Sequence, residues 1–211
     1  MLYIFDWDGT LVDSTARIVA CLELAAKRCQ LPVLSPQAYQ NIIGLGLVEA
    51  CRVLYPQLHD EGVDALRQAY SEAFVAADTE PCQFFPGVAE VLQQLKAEGH
   101  QLAIATGKSR RGLDRALGAL AIGDWFVATR CADETRSKPH PLMLQQLLEE
   151  TGFDASQAIM LGDTEYDLEM AQLAGMRSIA VTCGAHSEAR LRRWGPVAVL
   201  PSLAVLQSEA A

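Results

Sequence analysis

Asp6 and Asp8 stand two residues apart, with only Trp7 between them, at the end of the apolar run LYIF. On a locally extended backbone, residues two apart share one side. One carboxylate of such a pair can attack an electrophilic centre. The other can protonate a leaving oxygen and later activate water. Two more apolar runs end in polar residues. QLAIA leads into Thr106, Gly107, Lys108 and Ser109, and AIML leads into Gly162, Asp163 and Thr164, with Asp167 a few residues on. Lys138 lies in ETRSKPHP, just ahead of a helical pattern. Asp6, Asp8 and Asp163 offer oxygen ligands suited to hard Mg²⁺. Thr106, Lys138 and the backbone N–H groups around Gly107 offer donors for the oxygens of a transferring phosphoryl group.

These residues work together only if the chain brings them to one place. LYIF, residues 2–5, reads as a buried strand, and residues 14–29 as a helix with Asp13 or Ser14 as its cap. From 36 to about 79 the pattern is helical, most clearly in GVDALRQAYSEAFVAAD (62–78), and no convincing strand occurs between 14 and 84. From 85 onward helices and strands alternate. Helices are expected at 87–99, 108–120, 141–152 and 165–175. Strands are expected at QLAIAT, DWFVAT, QAIMLGD, RSIAVT and VAVL. A short helix is expected around Ser187 to Trp194, and a last helical turn or two at the end. This predicts an α/β fold, a Rossmann-like, mostly parallel sheet with helices on both faces and an all-helical insertion after the first strand. The carboxyl edge of such a sheet is where ligands bind. It is also where all four polar strings fall.

Composition narrows the function. The chain has 211 residues and a formal net charge of −9. An acidic balance argues against nucleic acid as a partner. With no apolar run of ~20 residues and no charged leader, neither a membrane span nor secretion is expected. Six cysteines without a CxxC pair read as reduced thiols of a cytoplasmic protein. TGKS at 106–109 echoes a phosphate-binding P-loop, but Leu102 stands where its first glycine belongs. A calcium loop starting at Asp6 fails because its glycine comes too early. Lys108, Arg110 and Arg111 read as a solvated helix face, as do Arg190, Arg192 and Arg193, with steering of an anion as the alternative. His140 reads as a packing or capping residue, with a place near the site after Lys138 as the alternative. Gly44 and Gly46 read as a turn between helices, with substrate contact by this loop as the alternative.

DxDGT, TG, KP and GDTxxD, in this order on this α/β pattern, resemble the haloacid dehalogenase-like hydrolase superfamily. The closest likeness is to its phosphoglycolate phosphatase-like phosphatases with a helical cap, and it covers essentially the whole chain. The resemblance implies a core of residues 1–14 and 83–211 and a cap of residues 15–82. It implies Asp6 as nucleophile, Asp8 as general acid and base, and Thr106, Gly107 and Lys138 at the phosphoryl group. Lys138 would also steady Asp6. Mg²⁺ would be held by the Asp6 carboxylate, the Asp8 backbone carbonyl and Asp163, with Asp167 in support. Gly44, Leu45 and Gly46 would lie near the leaving group. The expected activity is hydrolysis of a small phosphorylated metabolite through an aspartyl-phosphate, by a monomer or homodimer. A sugar phosphomutase or a non-catalytic binding protein of this fold are the alternatives. Dehalogenating members lack the second aspartate, which is present here as Asp8. Phosphonate-cleaving relatives use a cap lysine, and residues 30–80 contain none.

Overall fold

The computed structural model describes residues 1–77 and 80–206. Six strands, β1 (Leu2–Phe5), β2 (Gln101–Thr106), β3 (Ala128–Cys131), β4 (Ala158–Gly162), β5 (Arg177–Val181) and β6 (Ala198–Leu200), form one sheet in the order β3-β2-β1-β4-β5-β6. Every neighbouring pair is parallel. Strand order reverses beside β1, which pairs with β2 on one side and β4 on the other. That is the switch point where open α/β sheets leave a crevice beyond the strand ends.

Alternation along β1 shows how both faces are covered. Tyr3 and Phe5 enter one apolar cluster with Val88 and Leu92 of α5 (Val88–Ala97) and Leu113 of α6 (Arg110–Leu120). Leu2 and Ile4 enter another with Leu144 of α7 (Leu142–Thr151) and Met170 of α8 (Glu165–Leu173). All four β1 side chains are fully buried. Burying a side chain of this size contributes roughly 1.5–3 kcal/mol, so the strand end that carries Asp6 is firmly anchored.

Between β1 and α5 lie α1 (Thr15–Arg28), α2 (Pro36–Gln40), α3 (Leu47–Leu54) and α4 (Asp60–Ala77). They share an apolar cluster of their own, including Leu22, Tyr39, Cys51, Leu66 and Phe74. Inside it the Tyr39 and Tyr55 hydroxyls lie 3.0 Å apart, and Tyr55 donates to the Pro32 carbonyl at 2.8 Å. The chain enters and leaves this helical insertion side by side. Asp13 N–H donates to Gln83 O at 3.1 Å, and Phe85 N–H to Leu11 O at 3.0 Å. Asp78, the last residue of the helical pattern ending at α4, lies outside the described residues. A final short helix, α9 (Glu188–Leu191), precedes β6.

Two local expectations are corrected. DWFVAT is not a strand over its length. Gly123–Trp125 form a 3-10 turn and β3 starts at Ala128. Phe126 and Trp125 pack into the core from this connection, which accounts for the apolar run without a strand. Ser14 occupies the position before α1 but makes no capping hydrogen bond. Its hydroxyl is used elsewhere.

Candidate active site

Asp6 is the first residue beyond β1, and its N–H donates to Leu161 O of β4 at 2.9 Å. Its carboxylate is 1% exposed. Lys138 Nζ lies 2.7 Å from Asp6 Oδ1 and 2.6 Å from Asp167 Oδ1. Asp167 sits in the first turn of α8, and its Oδ2 accepts from Thr164 N at 3.1 Å and Thr164 Oγ1 at 2.7 Å. Asp163 follows β4. Its Oδ1 accepts from Thr10 Oγ1 at 2.8 Å and its Oδ2 from Ala185 N at 2.7 Å. Gly9 has φ +81°, and a Cβ there would stand 2.4 Å from Asp163 Oδ2. The DxDGT glycine therefore lets the first loop turn against Asp163.

Asp6, Asp163 and Asp167 form a buried cluster whose ligand oxygens lie within 4.8 Å of one another. Asp6 Oδ2 is buried with no hydrogen-bond partner. Three buried carboxylates face one ammonium, which leaves negative charge uncompensated. An oxygen-only donor set with an orphaned carboxylate oxygen fits a hard divalent cation. Burial raises the Asp6 pKa well above the usual range. Lys138 opposes this, and Asp167 and Asp163 add to it. Burial, with the Asp167 charge, pushes Asp163 up to about 7 against hydrogen bonds from Ala185 and Thr10. For Lys138, burial acts against the charged form, but Asp167 and Asp6 outweigh it and the pKa ends above the lysine range. The ammonium stays charged.

The Asp8 carboxylate is not part of that cluster. Its Oδ1 accepts from Ser14 Oγ at 2.6 Å, and both oxygens accept from Lys108 Nζ, at 3.0 and 3.1 Å. Lys108 also lies 4.8 Å from the centre of the Phe74 ring of α4. Lys108 is thus no solvated helix residue, as its place in KSRRGLDR suggested. It is drawn in by Asp8, a hundred residues away in sequence. Arg111 is exposed. Thr106 is fully buried at the end of β2, where its Oγ1 accepts from Lys108 N at 3.2 Å.

The segment of Gly44, Leu45 and Gly46, which links α2 to α3, lies against this strand edge. A Cβ on Gly107 would stand 2.5 Å from Leu45 O and 2.7 Å from Gly44 O. A Cβ on Gly44 would meet Thr164 Oγ1 at 2.8 Å, and Gly44 itself has φ +100°. Gly46 N donates to Ser137 Oγ at 2.7 Å. The turn between helices therefore also packs over Gly107, Thr164 and Ser137 at the strand edge. A second polar contact, at Asn41, ties the insertion to α8 and to α9 and the segment before it. The Asn41 carbonyl accepts from Tyr166 OH at 2.8 Å and His186 Nε2 at 3.3 Å, and its Oδ1 from Arg190 at 2.9 Å. Arg190 also pairs with Glu165, so it too is engaged rather than solvated. His140 behaves as expected, its Nδ1 accepting from Leu142 N at 3.2 Å.

Residues 3–181 match the family model described as haloacid dehalogenase-like hydrolase. The chain belongs to this family. Over 203 residues it is 36% identical to "Probable phosphatase IndB" of Dickeya dadantii (strain 3937), covering 94% of this chain and 88% of that one. It is 31% identical over 185 residues to phosphoglycolate phosphatase of Pectobacterium atrosepticum, covering 85% and 79%. Among solved structures, a hydrolase from Pseudomonas syringae superposes with TM-score 0.87 at 23% identity, covering 94% and 92%. A beta-phosphoglucomutase from Clostridium difficile superposes with TM-score 0.86 at 18% identity, covering 99% and 93%. At these identities the superpositions establish the fold and leave the reaction to the site.

Ser14, Lys108, Asn41, Tyr166, His186 and Arg190 join the site or its borders without a signal in the sequence. Each depends on a partner distant along the chain, except Ser14, whose hydroxyl looked like a helix cap.

Proposed function

We propose that this member of the family is a phosphatase that hydrolyses a small phosphomonoester through a phosphorylated Asp6. The observation that carries the reading is Asp6 Oδ2, a buried carboxylate oxygen with no partner, whose sister oxygen is held by Lys138. The names of the phosphatase relatives agree with it. Residues 1–14 and 83–211 act as the catalytic core and residues 15–82 as a cap. Reduced thiols fit a cytoplasmic setting.

Asp6, Asp163 and the Asp8 backbone carbonyl would hold Mg²⁺, with Asp167 in support. When bound, the ion offsets the repulsion between the Asp6 carboxylate and an anionic phosphate. Lys138, Thr106 and the Gly107 N–H hold the phosphoryl oxygens as charge shifts during transfer. Asp6 attacks phosphorus, the bond from phosphorus to the leaving oxygen breaks, and Asp8 gives that oxygen its proton. Asp8 then takes a proton from water, which attacks the phosphorylated Asp6 and releases phosphate. Loop 44–46 excludes bulk water while this occurs.

The test is phosphate release from a panel of small phosphorylated metabolites. Release should require Mg²⁺, stop in EDTA and fall below detection in Asp6→Asn. Full activity in Asp6→Asn or in EDTA would overturn the reading. Isomerised sugar phosphate without net phosphate release would replace it with a mutase.

A further inference from the structure

Three donors outside the insertion meet on one residue of it. The Asn41 carbonyl, at the end of α2, has no partner within the helix. It accepts from Tyr166 OH and His186 Nε2, and Asn41 Oδ1 accepts from Arg190. Each donor is held by groups that do not belong to the insertion. His186 is buried, and its Nδ1 accepts from Glu165 N at 3.0 Å. That assigns the ring proton to Nε2, facing Asn41. Arg190 is held by the Glu165 carboxylate. The Tyr166 ring meets the His186 ring edge-on, with centres 5.3 Å apart. The three form a socket that keeps its shape whether or not Asn41 sits in it, so each capture costs little ordering. Water replaces Asn41 at every donor once it leaves. Each hydrogen bond therefore shifts the equilibrium only about two- to tenfold, which keeps the contact reversible.

The contact sits where it can govern the site. Asn41 leads through Ile42 and Ile43 into Gly44, whose carbonyl packs on Gly107. With Asn41 seated, Asp6, Thr106 and Lys138 are each at most 1% exposed. The cavity beside Asp8 is about 20 Å³, room for roughly one water molecule. A phosphomonoester reaches Asp6 only after the insertion moves. We propose that Asn41 and its socket of Tyr166, His186 and Arg190 form a releasable latch that gates entry to the site and exit from it. Asn41 is a positioning residue. It touches no reacting group and acts by setting how often segment 42–46 lifts from Gly107 and Thr164. This rests on the phosphatase reading above. The latch is seated both in the free closed protein and during transfer, so loosening it leaves the barrier between the two nearly unchanged. It speeds the opening through which product leaves. The Gly46–Ser137 hydrogen bond remains, so the closed arrangement stays the main one.

The experiment compares the wild type with Asn41→Ala, Tyr166→Phe, the double variant and Asn41→Asp, which keeps an acceptor for Arg190. Hydrogen exchange of amides 42–46 reads the opening. Each of the first two variants should speed it about two- to tenfold, and the double variant more than either. Exchange in β1 and β4 should stay slow, and Asn41→Asp should stay near the wild type. With 4-nitrophenyl phosphate, kcat and KM should rise together by a similar factor in Asn41→Ala and in Tyr166→Phe, leaving kcat/KM within about twofold. Unchanged exchange of 42–46 in both variants overturns the latch. Exchange that rises equally in β1 and β4 also overturns it, because the loss is then one of overall stability. A kcat/KM that falls by about tenfold or more overturns the gate, since the contact then supports transfer itself. Wild-type kcat and KM beside faster exchange overturn it as well. No phosphate release from the wild type overturns the phosphatase reading and the gate with it, while exchange still decides the latch.

Discussion

Gly107 lies so close to Leu45 that a methyl group on its α-carbon would stand 2.5 Å from the Leu45 carbonyl oxygen. The obstacle is backbone on both sides, so no side chain can turn aside. Gly107→Ala should push loop 44–46 away from the strand edge, at a cost of about 1–3 kcal/mol to the closed arrangement. Activity should fall roughly 10- to 100-fold. Hydrogen exchange of the amides around Gly44–Gly46 should speed up while that of β1 and β4 stays slow. Unchanged exchange in the loop would contradict the contact.

Lys138 is the only cation that bridges Asp6 and Asp167 among the described residues. Lys138→Met should leave buried carboxylates without a counter-charge and destabilise the protein by about 3–5 kcal/mol. The drop is read from the urea midpoint. Adding Asp167→Asn should restore part of it. Activity should remain lost in both variants, because the proposed mechanism uses the Lys138 ammonium to hold the phosphoryl oxygens.

Asp6 and Asp163 have raised pKa values in the fold, Asp163 at about 7. An acid whose folded pKa exceeds its unfolded one contributes stability that is full below the unfolded value, near 4, and is lost as pH rises through the folded value. The metal-free protein should therefore gain stability between pH 8 and pH 5, by an amount on the order of a few kcal/mol. His186, whose pKa is lowered chiefly by burial, opposes part of the gain below its unfolded value, near 6.5, and Glu134 and Glu165, lowered chiefly by Arg110 and Arg190, act oppositely only below theirs, near 4.5. Urea midpoints across pH 5–8 in EDTA should show the gain. Saturating Mg²⁺ should flatten it, since a metal prefers ionised carboxylates.

Ser14→Ala removes a hydroxyl that holds Asp8 at 2.6 Å, not a helix cap. Stability should change by less than about 1 kcal/mol, the usual cost of losing a true cap. kcat should fall about tenfold, as expected for a lost hydrogen bond to a charged group. A large drop in melting temperature with normal kcat would reverse the assignment.

The sheet was legible because its strands are buried on both faces and end abruptly in polar residues. Asp6, Thr106, Lys138, Asp163 and Asp167 could be collected from the sequence because the parallel topology takes all the strand ends to one edge. DWFVAT misled because Trp125 and Phe126 are apolar for packing from a turn, which resembles a buried strand when only composition is read. Lys108 and Arg190 misled because a basic residue on a helical pattern looks solvated until its distant partner is known. Those partners, Asp8 and Asn41, reach them only through tertiary contact.

The paired connections at Asp13–Gln83 and Leu11–Phe85 bring the two ends of the helical insertion to neighbouring-strand spacing, about 5 Å. To the sheet, an entire helical bundle is then geometrically equivalent to a hairpin turn. Helices of another length or count can be grafted between those ends without altering the register of β1 with β2 or β4.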